Sequence, residues 1–389
     1  MRALEFIHAR FRERLGSIHA ARWQALWRVV AALLIGRKLW LTALGRTRPG
    51  TAMPKHGIKA VDRLLGNVHL YKERFEIAAC VVETIVGPCR CPIVLVDTVE
   101  LRHKVVALTA AVAHDGRSFP IWSTLVKHVR PQARDCQRFL DELSRVLPVG
   151  TRAIIVSDAG FEGAWFAAVQ RLGWDYVGRL RGQVQVERDG VWVQLRTLRS
   201  QATRRAKNLG TLNIGKRRSA PHRVVLSKLP SCGHRQVKTR RGPARGTNYH
   251  VYRQNAHEPL VLVTSLRSRP DAIVDFYKLR MQIEQAFRDL KNHRWGWSLR
   301  HCGTRRRARI ELLLLIAAIA CLVQQLVGIA AEARGLQRAH QANTERARRV
   351  LSFFVLGALV LNRSADELTT PEIRSAIDRL RRAVATHPS

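Results

Sequence analysis

Four side chains, Tyr277, Arg280, Glu284 and Lys291, follow one another at intervals of three, four and seven residues. On a helix they fall on one stripe roughly 60° wide, which sets a phenol, two cations and a carboxylate side by side. Cations so placed can grip a phosphate, and a carboxylate among them offers oxygen to a hard divalent ion. The plainer alternative is a solvated face with incidental ion pairs, since Glu284 and Lys291 are too far apart for an i,i+4 pair. Two further carboxylates bear on that choice. Asp97 ends the apolar run PIVLVD at Pro92–Asp97, and Asp158 follows the apolar run Ala153–Ser157. In open α/β sheets, groups that act on ligands gather beyond the carboxyl ends of strands. One aspartate at such a place is most often an Asx turn or a helix cap. Two of them, together with Glu284, make three carboxylates with a reason to converge.

The elements that must position these groups can be read from periodicity. Phe276–Lys291 contains no Pro or Gly, and Phe276, Leu279, Ile283, Phe287 and Leu290 form an apolar stripe beside the polar one. That pattern predicts a single helix with one face on a core. Pro92–Asp97 predicts a buried strand ending in Asp97. The runs Lys104–Ala113 and Ser118–Leu125, joined by His114-Asp115-Gly116-Arg117, predict a hairpin. Helix Arg134–Leu147 follows, then strand Ala153–Ser157, helix Glu162–Leu172 and strand Asp175–Leu180. This order defines an α/β class: a mixed sheet with helices on both faces.

Between Gln183 and Glu258 the pattern is interrupted. Ala202–Asn255 has many Arg and Lys and no Asp or Glu, with Arg204, Arg205, Lys207, Lys216, Arg217, Arg218, Lys238, Arg240, Arg241 and Arg245 the dense part. Short β-prone pieces at His222–Leu226 and Tyr249–Tyr252 predict small strands and loops lying along a nucleic-acid backbone; a disordered basic linker is the alternative. Pro259–Ser265 returns to a buried strand. Trp295 and Trp297 follow the polar stripe, with core packing their expected role. Ile310–Ala331 and Thr344–Leu361 are expected to be apolar helices that cover the sheet or form a dimer contact. Pro371–Arg382 is expected to be a final helix with Thr370 as cap.

The amino-terminal part reads as helical and basic. Trp23, Leu26, Trp27, Val30 and Leu34 make one amphipathic stripe, and Lys72–Val86 predicts a linking helix. Within Lys55–Asn67, Ile58, Val61, Leu64 and Leu65 turn inward while Lys55, Lys59 and Arg63 recur four apart on the opposite face. Short helices with one basic face suit a DNA-reading module of helix-turn-helix type. The totals agree: 389 residues, too many for one ordinary core, carry a net charge of +38. A charge this extreme points to a polyanion partner. An anionic membrane surface is the weaker rival, as no helix joins a basic face to an exposed apolar one. The most apolar run, Leu312–Val323, is too short to span a bilayer and predicts a buried helix. Seven cysteines without regular spacing, Cys89 and Cys91 and also Cys232 near His234 among them, give no zinc quartet and suit reduced thiols in a cytoplasmic protein.

The spacing Tyr277, Arg280, Glu284, Lys291, with PIVLVD at Asp97, SDAGF at Asp158, RMQIEQAFRDLK and KHGIKAVDRLLGN, resembles the DDE transposases of bacterial insertion sequences. The likeness is to the subgroup with the Tyr-Arg-Glu-Lys signature and is strongest to cut-and-paste enzymes of composite transposons. The resemblance implies a ribonuclease H-like catalytic core interrupted by a β-rich insertion and flanked by helical regions. Residues 1–71 would bind DNA ends, 72–182 and 259–300 would form the core, 183–258 the insertion, and 301–389 a helical region used in a homodimer. It implies catalytic, metal-holding roles for Asp97, Asp158 and Glu284, with two Mg²⁺ ions for which Mn²⁺ can substitute. Asp97 would bridge both ions. Tyr277, Arg280 and Lys291 would contact DNA phosphates, and Lys55, Lys59 and Arg63 the transposon ends. The implied reaction is excision through a hairpin and strand transfer to target DNA. A non-catalytic end-binding protein and a structure-selective nuclease are the alternatives.

Overall fold

Asp97 lies within a strand, not at its end. β1 runs over Ile93–Glu100, continuing past Asp97 because β2 (Val106–His114) supplies antiparallel partners as far as Glu100: Asp97 faces Thr109 and Glu100 faces Val106. β2 continues into β3 (Arg117–Val126) through the expected two-residue turn, where Asp115 and Gly116 both take positive φ, 36° and 76°. The pairing slips beside Pro120, where Ala110 faces Trp122 and Ala111 faces Pro120. A proline has no N–H for the ladder, and the bulge absorbs that defect. The structure, a computed structural model, describes all residues except 102–104, 182–183, 217–218, 229–237, 240–241, 244–257, 293–295, 299–302, 343, 346–347, 364–366 and 387–389.

Two units emerge from the packing, Met1–Ala153 with Leu279–His387, and Ile154–Lys278. The first holds β1–β3 in the order β3-β2-β1, with α1 (Arg2–Arg14), α2 (Ala20–Gly36), α3 (Leu41–Thr47), α4 (Pro54–Leu65), α5 (Val68–Val86) and α6 (Ala133–Val146). Trp23, Leu26, Trp27, Val30 and Leu34 of α2 are buried, as their stripe predicts. In α4, Val61, Leu64 and Leu65 are buried while Lys55, Lys59 and Arg63 are exposed. α3 and α4 meet through Gly45 and Gly57, where a Cβ on Gly57 would stand 2.2 Å from the Gly45 carbonyl oxygen. Only glycine admits such an approach.

The organising element of this unit is a 27-residue helix, Arg307–Ala333, longer than the run Leu312–Val323 suggested. It is long and apolar enough to cross a membrane, but its apolar window is 94% buried inside the fold, so it serves as a core helix. Gln324 anchors the helix Phe353–Leu361 against it by donating to the Phe354 carbonyl at 2.8 Å, and Gly328 and Gly357 let the two backbones touch. That second helix begins nine residues later than Thr344, because the Ser352 hydroxyl accepts from the Val355 N–H and caps it. The last helix, Thr370–Ala385, is capped by Thr369 rather than Thr370: the Thr369 N–H donates to Glu372 at 2.7 Å.

The second unit carries β4 (Ile154–Ser157), α7 (Gly163–Arg171) and β5 (Asp175–Leu180), a parallel pair joined by a helical crossover. Its insertion supplies β6 (Gln185–Arg188), β7 (Val191–Gln194), β8 (Lys207–Ile214), β9 (Ala220–Ser227) and the two-residue strands β10 (Lys238–Thr239) and β11 (Gly242–Pro243). β12 (Leu260–Thr264) then pairs antiparallel with β5 on one side and β9 on the other. A strand paired on both sides has all five residues buried, which is why LVLVT reads as unbroken apolar sequence. The strand order here is β4-β5-β12-β9-β8-β6-β7, parallel at one pairing and antiparallel at the rest, so the class is α/β with a mixed sheet. His222–Leu226 falls in β9 as expected. Tyr249–Tyr252, Arg217, Arg218, Arg240, Arg241 and Arg245 lie outside the described residues.

Candidate active site

The predicted helix Phe276–Lys291 is two helices. α8 (Pro270–Lys278) belongs to the second unit and α9 (Met281–Lys291) to the first. At Leu279–Arg280 the chain makes i→i+3 bonds, Gln282 N–H to Leu279 at 2.9 Å and Ile283 N–H to Arg280 at 3.2 Å, which tighten the junction. No Pro or Gly announces this break. Glu284 sits in the first turn of α9, where the helix dipole favours a carboxylate.

Arg280 stands just before α9 with its side chain 12% exposed, and it reaches two carboxylates. Its Nη2 donates to Glu284 Oε1 at 2.6 Å, and its Nη1 lies 3.4 Å from Asp97 Oδ2. The other Asp97 oxygen, Oδ1, accepts from the Thr98 N–H at 2.7 Å. Two residues far apart in sequence, Asp97 and Glu284, thus share one cation. Lys291 lies two turns along the same helix, its Nζ 5.7 Å from the Phe287 ring. Rigid β1 holds Asp97, with Val94, Leu95 and Val96 fully buried beneath it.

α9 is fixed to the β2–β3 hairpin by residues that sequence reasoning missed. The Gln282 side chain accepts from the His114 N–H at 2.8 Å. Asp289 accepts from Arg117 Nε at 2.8 Å and is 3.2 Å from the Ser352 hydroxyl. Gln282 and Asp289 are seven apart and share a helix face, a signal that was present in the spacing. His114 is buried against Phe119 and Phe353, and burial pushes its imidazole down to about 4. Trp297 is core: its ring meets Phe354 edge-on at 5.1 Å, and its carbonyl accepts from Leu39. Trp295 lies outside the described residues.

In the second unit, Asp158 follows β4 as expected, and its Oδ1 accepts from the Ala159 N–H, the local Asx arrangement. Tyr277 is buried and accepts a hydrogen bond from Arg179. Arg179 in turn belongs to a cluster that the sequence does not announce. Glu258 Oε2 lies 3.2 Å from Arg179 Nη2 and 3.5 Å from Arg181 Nε, and its Oε1 pairs with Arg199. Burial lowers the Arg179 pKa despite these partners.

Hard oxygen donors suit a divalent ion, and Asp97 with Glu284 already meet at a single positive charge. These two residues therefore fit the metal that the chemistry asks for, although among the described residues no set of three or more His, Cys, Asp or Glu is gathered as a cage. Five cysteines, Cys80, Cys89, Cys91, Cys136 and Cys321, are free thiols, and Cys232 and Cys302 lie outside the described residues.

A family model described as "Transposase DDE domain" matches residues 100–321, more than half of the chain. The chain belongs to this family, a class of DNA-acting proteins whose chemistry is metal-dependent phosphoryl transfer. The match contains Asp158, Tyr277, Arg280, Glu284 and Lys291 and begins three residues after Asp97. None of the curated proteins matches the chain.

Proposed function

We propose that this transposase binds the terminal inverted repeats of a mobile element and moves it by cutting and pasting. Asp97, Asp158 and Glu284 act as the catalytic carboxylates that hold two Mg²⁺ ions. When bound, these ions supply an activated oxygen nucleophile and neutralise charge on the departing oxygen. The protein's own part is to place and orient. Asp97 on β1 and Glu284 at the start of α9 present oxygens from rigid elements. Arg280, able to form a two-pronged contact, and Lys291, a point charge, hold phosphates beside the scissile bond, with Tyr277 as a hydroxyl partner. Lys55, Lys59 and Arg63 form an exposed cationic row on α4 for the backbone of the end sequence.

The observation that carries this reading is the common cation reached by Asp97 and Glu284, residues that sequence separation alone would never bring together. Water frees a 3′-OH at the element's end, that OH attacks the opposite strand to close a hairpin, water reopens it, and the same OH joins target DNA. Two copies of the chain would pair the two ends, in the cytoplasm, where the DNA lies. Purified protein with Mg²⁺ and end-bearing DNA tests it: the wild type should cut, and Asp97→Ala should bind without cutting. Equal cutting by both would remove the assignment. End-labelled strands on a denaturing gel should pass through a hairpin species, and linear excised ends at all times would replace that step. Cutting of branched DNA without regard to end sequence would instead favour a structure-selective nuclease.

A further inference from the structure

Arg280 has two claims on it. The proposed chemistry wants its guanidinium on a DNA phosphate, yet the structure has it on Asp97 and Glu284. A guanidinium stays charged at any pH a protein survives, so it cannot leave two carboxylates by losing a proton. It can leave only by moving, and only if something else supplies positive charge to the pair it abandons. Asp97, Glu284 and Arg280 together carry a net charge of −1. Left alone, two carboxylates this close would repel, and Asp97 is only 19% exposed, so water screens them poorly.

We propose that Arg280 is a resident counter-cation that holds the metal-free pair together and is handed over to DNA when a divalent ion takes its place. The inference rests on the reading of Asp97 and Glu284 as metal ligands. A compact dication would repel the guanidinium from both carboxylates, and a strand phosphate is the anion that would receive it. Metal loading and phosphate gripping are then two halves of one exchange, so the protein without DNA binds metal weakly and does not stand armed. The contact geometry suits an exchange: a tight bond to Glu284 at 2.6 Å within one helical turn, and a looser one to Asp97 at 3.4 Å. Glu284 is 34% exposed, so an incoming ion can reach the pair from solvent.

The test is Mn²⁺ binding to the full, DNA-free chain, read from the loss of the free-ion electron paramagnetic resonance signal. Arg280→Gln should bind Mn²⁺ about tenfold more tightly than wild type, the scale expected for removing one charge-assisted competitor, and Arg280→Lys should fall between. Placing Asp97→Asn in the Arg280→Gln background should abolish the gain. Unchanged or weaker Mn²⁺ binding by Arg280→Gln, with binding still dependent on Asp97, overturns the exchange and leaves the metal site standing. Binding indifferent to Asp97→Asn in both backgrounds overturns the metal site itself, and the exchange with it. A second measurement is the salt dependence of binding to duplex DNA at one fixed Ca²⁺ concentration. There wild type should be steeper than Arg280→Gln by about 0.9 in log–log slope, the value for one phosphate contact, while the two should match without Ca²⁺. Equal slopes with Ca²⁺ would show that Arg280 is not delivered to DNA.

Discussion

The two units solve opposite charge problems. In the first, one guanidinium, Arg280, serves two carboxylates, Asp97 and Glu284. In the second, one carboxylate, Glu258, serves three guanidiniums, those of Arg179, Arg181 and Arg199. The first cluster sums to −1 and favours a cation; the second sums to +2 and favours an anion. No Asp or Glu exists between Ala202 and Asn255 to correct that second imbalance. In a chain of net charge +38 carboxylates are scarce, yet the first unit sets two of them beside one arginine at Arg280 and again at Arg349, which pairs with Asp115 at 3.0 Å and Glu332 at 2.6 Å. Local charge balance thus separates sites that a whole-chain count would merge.

The largest expected effect that would break this contrast is at the acidic pair. Glu284→Gln keeps the shape and removes the charge, and DNA cutting should fall by about 10²–10³-fold, the scale for deleting one preorganised electrostatic component. Retained cutting in single-turnover assays would deny the pair its role. In the basic cluster, Glu258→Gln leaves three guanidiniums without their shared carboxylate. Unit two should lose about 2 kcal/mol, less than for a fully buried pair because Arg181 and Arg199 are partly exposed, as read from denaturant unfolding.

Smaller effects sharpen the comparison. His114 is neutral in the fold because burial holds its imidazole near 4 instead of the ordinary 6.5. The unfolded chain then binds the extra proton first. Stability from this residue is complete above about pH 6.5 and is lost as pH falls towards 4. Replacing His114 by Phe should flatten that part of the stability–pH curve, whereas an unchanged slope would place its cause elsewhere. Arg181→Gln with Arg199→Gln should lower the salt slope of DNA binding by about 1–2, if each meets one phosphate. Asp289→Asn, which weakens the bond to Arg117, should cost about 1 kcal/mol of stability, measured by thermal unfolding.

Much of this was legible in the sequence where one periodicity held. The hairpin at Asp115–Gly116, strand Asp175–Leu180 and the inward face of α4 follow their patterns closely. Asp158 after β4 was equally plain. What failed did so where a partner decides. Strand β1 outruns its apolar stretch because β2 pairs with Thr98–Glu100. The helix at Tyr277–Lys291 divides at Leu279–Arg280 with no breaker residue to signal it, so Tyr277 and Glu284 belong to two helices, and Tyr277 is buried with Arg179 as its partner. Thr344 looked like a helix start because helix-forming residues follow it, but Ser352 holds the cap. The Glu258 cluster was invisible because its members are drawn from three separate segments.

The long helix Arg307–Ala333 has a consequence for synthesis. Two of the segments that cover it, Phe353–Leu361 and Thr370–Ala385, leave the ribosome after it does, whereas β3, α2 and α5 precede it. For that interval one side of it stays bare, on a helix that passes for a membrane span by length and hydropathy. A bilayer or a chaperone therefore competes with folding for the nascent chain, and translation that halts soon after Ala333 yields a product fit for capture or aggregation rather than for DNA.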